Sequence, residues 1–266
     1  MSAAPRTRLF LGVWSALIVV FLLAPIALIV LYAFNPSNVQ SWPLPGLSTK
    51  WFSQTFHNED MRDALWLSVK AALLATFIAM LLGSAAAFAV HRFRFFGREA
   101  VSFVLILPIA LPGIITGMAL NSYFTYFGQA FGLWTIVVGH ATFCIVIVFN
   151  NVVARLRRMP TSLTEASMDL GADGFQTFVH VTLPAISTAL ISGALLAFAL
   201  SFDEVIVTTF TAGVQNTLPI WIFGNIRLGQ QLPEVNVVVF LILLVTIVPV
   251  VLAQRLTRES GILRTE

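Results

Sequence analysis

The sequence predicts an all-α integral membrane protein whose 266 residues form a single transmembrane domain of six helices. Hydrophobic residues make up 58% of the chain and charged residues only 10%, whereas soluble globular proteins carry about a quarter charged residues. The few charges are also clustered, which leaves long charge-free runs between them. Because a helix needs roughly 20 apolar residues to cross a bilayer, these runs predict spans at about 10–34, 66–90, 101–126, 134–154, 185–209 and 235–254.

The first span has an alternative interpretation as a signal peptide, because Arg6 and Arg8 precede it. A signal peptide has an apolar core of ~7–15 residues, followed by a cleavage site with small residues. The apolar stretch of this chain is longer than that, and no clear cleavage site follows it. We therefore expect a retained helix.

Basic residues are distributed unevenly between the two sides of the predicted spans. Eleven arginines fall on the side shared by the two termini, and four basic residues fall on the other side: Lys50, Arg62, Lys70 and Arg227. Because cytoplasmic segments carry the excess of Lys and Arg, both termini are predicted to be cytoplasmic. The net charge of +3 then reflects topology and is no argument for a nucleic-acid partner.

Several residues within the spans predict departures from plain apolar helices. The third span is interrupted by proline and glycine, which predicts a kink or a widened cavity wall; these residues are Pro108, Pro112, Gly113 and Gly117. The polar residues Asn121, His140, Asn150 and Asn151 favour interhelical hydrogen bonds over contacts with a substrate.

Asp203 and Glu204 are adjacent acids in the outer half of the predicted fifth span. They lie about 28 Å along a helix that begins near Pro184, at 1.5 Å per residue. Two acids in a span are costly unless they face water, a partner or a cation. One interpretation places them just outside the hydrocarbon. The other, which we favour, places them in a substrate path or gate.

No pattern of residues in the chain predicts an enzyme or a metal site. The sequence lacks HExxH, GxSxG and any Cys/His cluster at metal-ligand spacing. A P-loop requires Lys followed by Ser or Thr, but Lys50 precedes Trp51 and Lys70 precedes Ala71. We therefore expect no catalytic residue, no metal and no bound cofactor on this chain.

The long loop at about 155–184, predicted to be cytoplasmic, carries the pattern of a short helix. Ser162 and Glu165 have capping-box spacing, so a helix is expected to begin at Ser162. Gly171 can adopt the left-handed conformation that ends a helix.

A second short helix is expected to follow in the same loop. Asp173 can cap it, and it should stop before Pro184 opens the fifth span.

The first helix of the loop has an apolar face, because Leu163, Ala166 and Leu170 lie on the same side of it. Physical reasoning alone leaves two uses for this face: packing on the protein's own helices, or docking of a partner.

The loop resembles the EAA loop of ATP-binding-cassette importer permeases. That family's pattern is EAA, three residues, G, nine residues, I, one residue, and LP. The chain matches this spacing throughout with Glu165-Ala166-Ser167, Gly171, Val181 and Leu183-Pro184. Ser167 replaces the third motif residue and Val181 replaces Ile, and both changes are mild.

The stretch beyond the loop is similar to the spermidine/putrescine-type permease subunits of this family. The similarity covers essentially the whole chain and is most evident from Glu165 to Asn236. The matching segments are Ala199-Leu200-Ser201-Phe202-Asp203-Glu204-Val205, Thr208-Thr209-Phe210-Thr211-Ala212-Gly213, Leu218-Pro219 and Pro233-Glu234-Val235-Asn236.

The resemblance implies one permease half of a type I importer in a bacterial cytoplasmic (inner) membrane. The implied partners are a second permease subunit, expected to be a paralogue, two ATPase subunits that hold ATP and Mg, and an extracytoplasmic solute-binding protein. It implies an ATPase-coupling role for Glu165, Ala166, Ser167, Leu170, Gly171, Leu183 and Pro184. A cationic polyamine substrate would suit a path formed by Asp203, Glu204, Phe202, Tyr123 and Trp221, since ammonium groups bind carboxylates and aromatic ring faces.

Other functions fit the sequence less well. The same machinery can carry another small organic or inorganic solute, because specificity rests largely with the binding protein. A secondary transporter or channel subunit would need an ion site of its own, and the sequence shows no convincing inverted repeat. A membrane-embedded enzyme would need a reactive group of residues, which the sequence does not offer.

Overall fold

The computed structural model describes residues 5–246, and within that range the chain forms helices and connecting segments without a β-strand. The predicted all-α fold is confirmed for this part of the chain. A π-helical turn joins the eighth and ninth helices. The helices are α1 (Pro5–Ala33), α2 (Lys50–His57), α3 (Glu59–Arg92), α4 (Arg98–Ala110), α5 (Gly113–Tyr126), α6 (Leu133–Arg158), α7 (Thr161–Asp169), α8 (Gly174–Thr177), the π-helical turn (Phe178–Thr182), α9 (Leu183–Phe202), α10 (Ile206–Thr211), α11 (Leu218–Leu228) and α12 (Leu232–Thr246).

Four helices among the described residues are long and apolar enough to cross a membrane: Leu9–Ala33, Glu59–Arg92, Leu133–Arg158 and Gly174–Phe202. They correspond to the predicted first, second, fourth and fifth spans. The helix α12 covers the first part of the predicted sixth span. The rest of that span and the basic residues near the C-terminus lie outside the described residues.

The predicted third span is divided into two shorter helices, α4 and α5. The division falls at Leu111 and Pro112, which both have extended backbone conformations. Pro112 has no N–H to donate to a preceding turn, and its ring disfavours a helical conformation at Leu111. The predicted interruption is thus confirmed, and it is a complete break between two helices.

The described residues separate into two compact units, the first made of residues 5–62 and 222–246. An aromatic cluster forms part of its core, in which the rings of Phe34, Phe52 and Phe240 lie 5.2–5.9 Å apart. The indole N–H of Trp51 donates to the carbonyl oxygen of Asn35 at 2.8 Å. These contacts hold the segment after α1 against α2 and α12.

The second unit, Asp63–Trp221, is built around α6 and contains both candidate sites. The helix α6 has buried side chains along its length and packs against α4, α5, α9 and α10. Gly83 of α3 approaches α6 so closely that a Cβ there would lie 2.8 Å from the carbonyl oxygen of Ile145. Small residues at helix contacts are typical of membrane proteins, where close van der Waals packing drives helix association.

Candidate functional site

The first candidate site is the segment of α7 and α8, and it contains the predicted coupling residues. Gly171 has φ +90°, in the left-handed region. The N–H of Ala172 donates to the carbonyl of Ser167 at 3.1 Å, and the N–H of Gly171 donates to that of Met168 at 2.9 Å. These two bonds form a Schellman motif. The prediction that Gly171 ends the helix is confirmed.

The start of α7 differs from the predicted capping box. The helix begins at Thr161, after Pro160 in an extended conformation, and no side chain caps it. Ser162 and Glu165 are both exposed. Because Pro160 already supplies a φ of −62° at the boundary, the helix begins one residue before the expected cap. The prediction that Ser162 caps α7 is therefore wrong.

The start of α8 is capped as predicted. The carboxylate of Asp173 accepts from the N–H of Gln176 at 2.8 Å, and the Gln176 side chain accepts from the N–H of Asp173 at 3.0 Å. These reciprocal bonds form a capping box that begins α8 directly after the Schellman turn.

The prediction that this second helix stops before Pro184 is wrong, because α8 continues through the π-helical turn into α9. The N–H of Leu183 donates to the carbonyl oxygen of Phe178, five residues back. Pro184 cannot donate to the carbonyl four residues before it, and its ring needs room there. A single π-helical turn provides that room without ending the helix.

The apolar face of α7 is not covered by the rest of the described chain. Leu170 is 89% exposed, Leu163 and Ala166 are also exposed, and Phe175, just after the turn, is 75% exposed. The segment is anchored beside this face, since the hydroxyl groups of Ser167 in α7 and Thr177 in α8 lie 3.1 Å apart. Of the two uses left open by the sequence, packing of this face on the protein's own helices is therefore not what the structure shows.

The second candidate site is a break in the fifth span at Asp203, Glu204 and Val205. The prediction of one helix over 185–209 is wrong here, because α9 ends at Phe202 and α10 begins at Ile206. Glu204 stabilises the new start, since its carboxylate accepts from the N–H of Val207 at 2.9 Å. The side chain of Asp203 is exposed.

The break lies within the length of α6. His140 lies beside it, 2.7 Å from the hydroxyl of Ser201, and Arg155 bonds the carbonyl oxygen of Ala185 at 2.9 Å. Since helices rise 1.5 Å per residue, His140 is about 22 Å from the Arg155 level and about 10 Å from the Leu133 end. The break therefore lies beside the interior of a helix that is long and apolar enough to cross a membrane, and not beside either of its ends.

The short helix α10 is held by side chains from α5 and α6. The amide of Asn121 donates to the carbonyl oxygen of Phe210 at 2.7 Å, and the hydroxyl of Thr135 donates to that of Thr211 at 2.7 Å. These carbonyls are in the last turn of α10 and have no partner within it. A broken helix at membrane depth requires such bonds. The predicted interhelical bonding of Asn121 is confirmed.

Glycines of α5 bring α10 close. A Cβ at Gly117 would lie 2.6 Å from the ring of Phe210, and a Cβ at Gly113 would lie 3.6 Å from the side chain of Ile206. The two glycines are one helical turn apart, in the small-xxx-small arrangement that permits close helix packing. The break at Asp203 thus lies near the level of the Leu111–Pro112 break.

The predicted aromatic residues do not form one cluster with the acids. Phe202 is stacked on Phe198 at 6.0 Å, directly before Asp203. Tyr123 is exposed and packs on Phe127 at 4.7 Å, about 15 Å along α5 from the level of Gly113. Trp221 is only 6% exposed. Phe202 therefore lies beside Asp203, whereas Tyr123 lies about three turns of α5 away from the level of Gly113.

Sequence reasoning did not assign roles to the threonines of this region. The hydroxyl groups of Thr208, Thr209 and Thr211 each donate to the carbonyl four residues back. Three threonines in an apolar run could have indicated a helix that bends or ends, because each hydroxyl can bond a nearby backbone carbonyl there. Thr135 gave no comparable signal, because its acceptor lies far away in the sequence.

Residues 79–258 match the family described as "Binding-protein-dependent transport system inner membrane component". The match covers most of the chain, including α6, the α7–α8 segment and the break at Asp203. The chain belongs to this family. It is therefore an inner-membrane permease component of a transport system, as its EAA-like loop predicted.

Two named relatives of this permease are similar over most of its length. The putrescine transport system permease protein PotI of Escherichia coli (strain K12) is 38% identical over 84% of this chain and 82% of its own. The spermidine/putrescine transport system permease protein PotC of Haemophilus influenzae is 33% identical over 91% of this chain and 93% of its own.

Solved structures support the same fold. A bacterial ABC transporter involved in the import of the acidic polysaccharide alginate contains a chain with a TM-score of 0.67 and 16% identity, matched over 97% of this permease and 99% of that chain. A chain of the MetNI methionine ABC transporter in an inward-facing conformation has a TM-score of 0.55 and 20% identity. The match covers 76% of this permease and 98% of that chain. At these identities the likeness establishes the fold of an ABC transporter permease and nothing more.

Proposed function

We propose that this permease is one of two different permease subunits in an ATP-driven importer of polyamines. The observation that carries the proposal is the 38% identity to a putrescine permease, in a chain whose fifth span breaks at an exposed acid. A carboxylate in a partly dehydrated site binds an ammonium group through a charged hydrogen bond worth ~1.5–3 kcal/mol. We assign that contact to Asp203.

The proposed path passes the two helix breaks. In secondary transporters, which are membrane proteins of another class, discontinuous helices place side chains and free backbone groups at the level where the substrate binds. The Leu111–Pro112 break and the Asp203–Val205 break supply such a level in this chain. We place the substrate path there. Tyr123 and Trp221 stay predictions as further contacts along it.

The α7–α8 segment is proposed to dock an ATPase subunit, which would hold ATP and Mg. Its exposed Leu170 and Phe175 give it an apolar surface, and the Schellman motif and the Asp173 cap give it a defined shape. Because α8 is continuous with α9, a push on this segment would be transmitted along one helix to the break at Asp203. This route would connect nucleotide hydrolysis to the substrate path.

The proposed topology has six spans with both termini in the cytoplasm, so that the α7–α8 segment faces the ATPases. An extracytoplasmic solute-binding protein would then deliver the substrate from the other side. The eleven-to-four distribution of basic residues supports this orientation.

The decisive experiment is transport by the complete assembly in proteoliposomes. The permease, its partner permease, the ATPase and the binding protein would be purified together, and uptake of labelled putrescine and spermidine measured with and without ATP. We expect ATP-dependent uptake of at least one polyamine, inhibited by other diamines and not by uncharged diols of equal length. Uptake of an uncharged or anionic solute in preference to polyamines would overturn the assignment of substrate class.

Two further arms test the rest of the proposal. An assembly that contains this chain as its only permease should be inactive, and activity of such an assembly would contradict a second, different permease. Uptake driven by an ion gradient without ATP would instead indicate a secondary transporter.

A further inference from the structure

We propose that His140 is a positioning residue that holds the two sides of the Asp203 break together and thereby determines how tightly the cationic substrate is bound. The inference rests on the proposed function and assigns a role to a residue outside the predicted path. Its basis is a chain of hydrogen bonds that joins α6 to both α9 and α10.

The imidazole of His140 bridges the break. Its Nδ1 lies 2.7 Å from the hydroxyl of Ser201, in the last turn of α9. Its Nε2 lies 2.8 Å from the hydroxyl of Thr208, in α10. The backbone hydrogen bonds of a continuous helix are interrupted at Glu204 and Val205. The imidazole ring of His140 therefore supplies a direct link between α9 and α10.

The direction of each bond follows from the protons available. The hydroxyl of Thr208 donates to the carbonyl oxygen of Glu204 at 2.6 Å, because a carbonyl can only accept. Its single proton is then used, so it must accept from Nε2–H of His140. In the neutral ring Nδ1 is an acceptor, and the hydroxyl of Ser201 donates to it. The chain therefore runs in one direction, from Ser201 through His140 and Thr208 to Glu204.

All members of this chain that bond through side chains are buried. His140 is 1% exposed, Ser201 3% and Thr208 0%. Buried polar groups cost free energy when they lose a partner, so each member stabilises the others in one arrangement. The carbonyl oxygen of Glu204 is the end of the chain, and Asp203 is the residue between Glu204 and α9.

The consequence for Asp203 is indirect but specific. A carboxylate contributes fully to binding only when it is already held in the productive position before the substrate arrives. The peptide unit after Glu204 is held by Thr208, and the end of α9 is held by Ser201. With both ends fixed to one ring, Asp203 presents its carboxylate from a defined backbone.

The test uses three substitutions that remove the link by degrees. His140→Asn keeps an acceptor near the position of Nδ1, His140→Gln keeps a donor near that of Nε2, and His140→Phe keeps the ring volume without hydrogen bonds. We expect the apparent KM for polyamine uptake to rise roughly tenfold in His140→Phe and less in the two amides. Maximal uptake, amount in the membrane and ATPase stimulation should change little. A lower maximal rate at unchanged KM would overturn the positioning role.

A second measurement makes the result independent of the substrate. The chain has one cysteine, so in a Cys144→Ala background an Asp203→Cys substitution gives a single thiol. Its rate of reaction with a charged thiol reagent should change at least threefold when His140→Phe is added. A single thiol at Gln129→Cys, in the exposed turn between α5 and α6, is the control and should be unaffected.

The two measurements separate the two proposals. An unchanged labelling rate at position 203 would contradict the positioning role whatever the substrate. A changed labelling rate in an assembly that transports no polyamine would support the positioning role and contradict the proposed substrate.

Discussion

The side-chain carboxylate of Glu204 accepts a hydrogen bond from the backbone N–H of Val207 at 2.9 Å. The two adjacent acids of the fifth span therefore differ in use: Glu204 caps the start of α10, whereas the side chain of Asp203 makes no hydrogen bond or ion pair within residues 5–246. The carboxylate of Glu204 is already used as a hydrogen-bond acceptor by the backbone of α10. The carboxylate of Asp203 is not used in this way and is available to bind a ligand.

Charge removal should therefore affect the two acids unequally. Asp203→Asn should raise the apparent KM for polyamine uptake about tenfold or more, because it removes a charged hydrogen bond worth ~1.5–3 kcal/mol. Glu204→Gln keeps an oxygen that can accept from Val207, so uptake should stay within about threefold of wild type. The measurement is uptake at matched amounts of assembly. Near wild-type kinetics in both variants would mean that the acids are solvated ends of helices.

The location of the long helices and of the Gly171 turn could be predicted from the sequence because both depend on local properties. Charge-free runs of sufficient length indicate spans wherever they occur. A glycine at the end of an apolar pattern predicts a left-handed cap, and Gly171 has φ +90°. The cap at Asp173 was predictable for the same reason, since its partner Gln176 is three residues away.

The break at Asp203 could be predicted only in part, because the cap by Glu204 is local whereas His140, which links the two sides of the break, lies far away in the sequence. The run Val205-Ile206-Val207 continues the apolar pattern of the preceding helix, so periodicity favours an unbroken span. The groups that hold the far end of α10 are Asn121 and Thr135, which bond carbonyls of its last turn. They belong to α5 and α6, and only the tertiary structure brings them there.

The left-handed conformation at Gly171 predicts a substitution effect that depends on backbone and not on space. Gly171→Val should destabilise the α7–α8 segment by ~1–2 kcal/mol or more, because a β-branched residue is strained at φ +90°. Apart from Gly171 itself and its two chain neighbours, no described atom lies within 4 Å of a Cβ built there, so a clash with another part of the chain is not the cause. ATPase stimulation by substrate should fall while the amount of chain in the membrane is unchanged.

Two control variants isolate the backbone effect at this position. Gly171→Asn should be milder, because asparagine tolerates the left-handed region. Gly174→Ala adds a Cβ at a helical position with open space around it and should be neutral or slightly stabilising. Equal loss of coupling in all three variants would show that the segment tolerates no side chain, for a reason other than φ.

The exposed side chain of Leu170 provides a test of docking. Leu170→Asp should cost little folding stability, since the residue is 89% exposed, but should weaken association with the ATPase subunit at least tenfold if this face is the docking surface. Val214→Asp is the matched control, because Val214 is 97% exposed and lies on the connection after α10. Co-purification of the ATPase with each variant is the measurement. Equal retention of the ATPase by wild type and Leu170→Asp would contradict docking through this residue.

The two glycines of α5 predict unequal effects from the same substitution. Gly117→Ala places a Cβ 2.6 Å from the ring of Phe210, closer than real contacts allow, so the ring or α10 must move. Gly113→Ala places a Cβ 3.6 Å from Ile206, which is an ordinary contact. Overpacking of this kind typically costs ~1–3 kcal/mol, whereas a tolerated contact costs well under that.

A shift of α10 would also affect the neighbouring break. Because Asn121 bonds the carbonyl oxygen of Phe210, such a shift would strain that hydrogen bond and the Asp203–Val205 break that precedes α10. Gly117→Ala should therefore lower both the thermal stability of the purified assembly and the rate of transport, while Gly113→Ala should change neither by much. A Phe210→Leu substitution gives the Cβ room and should restore part of the loss in Gly117→Ala. Failure of Phe210→Leu to restore any stability would mean that the glycine is required for something other than the approach of α10.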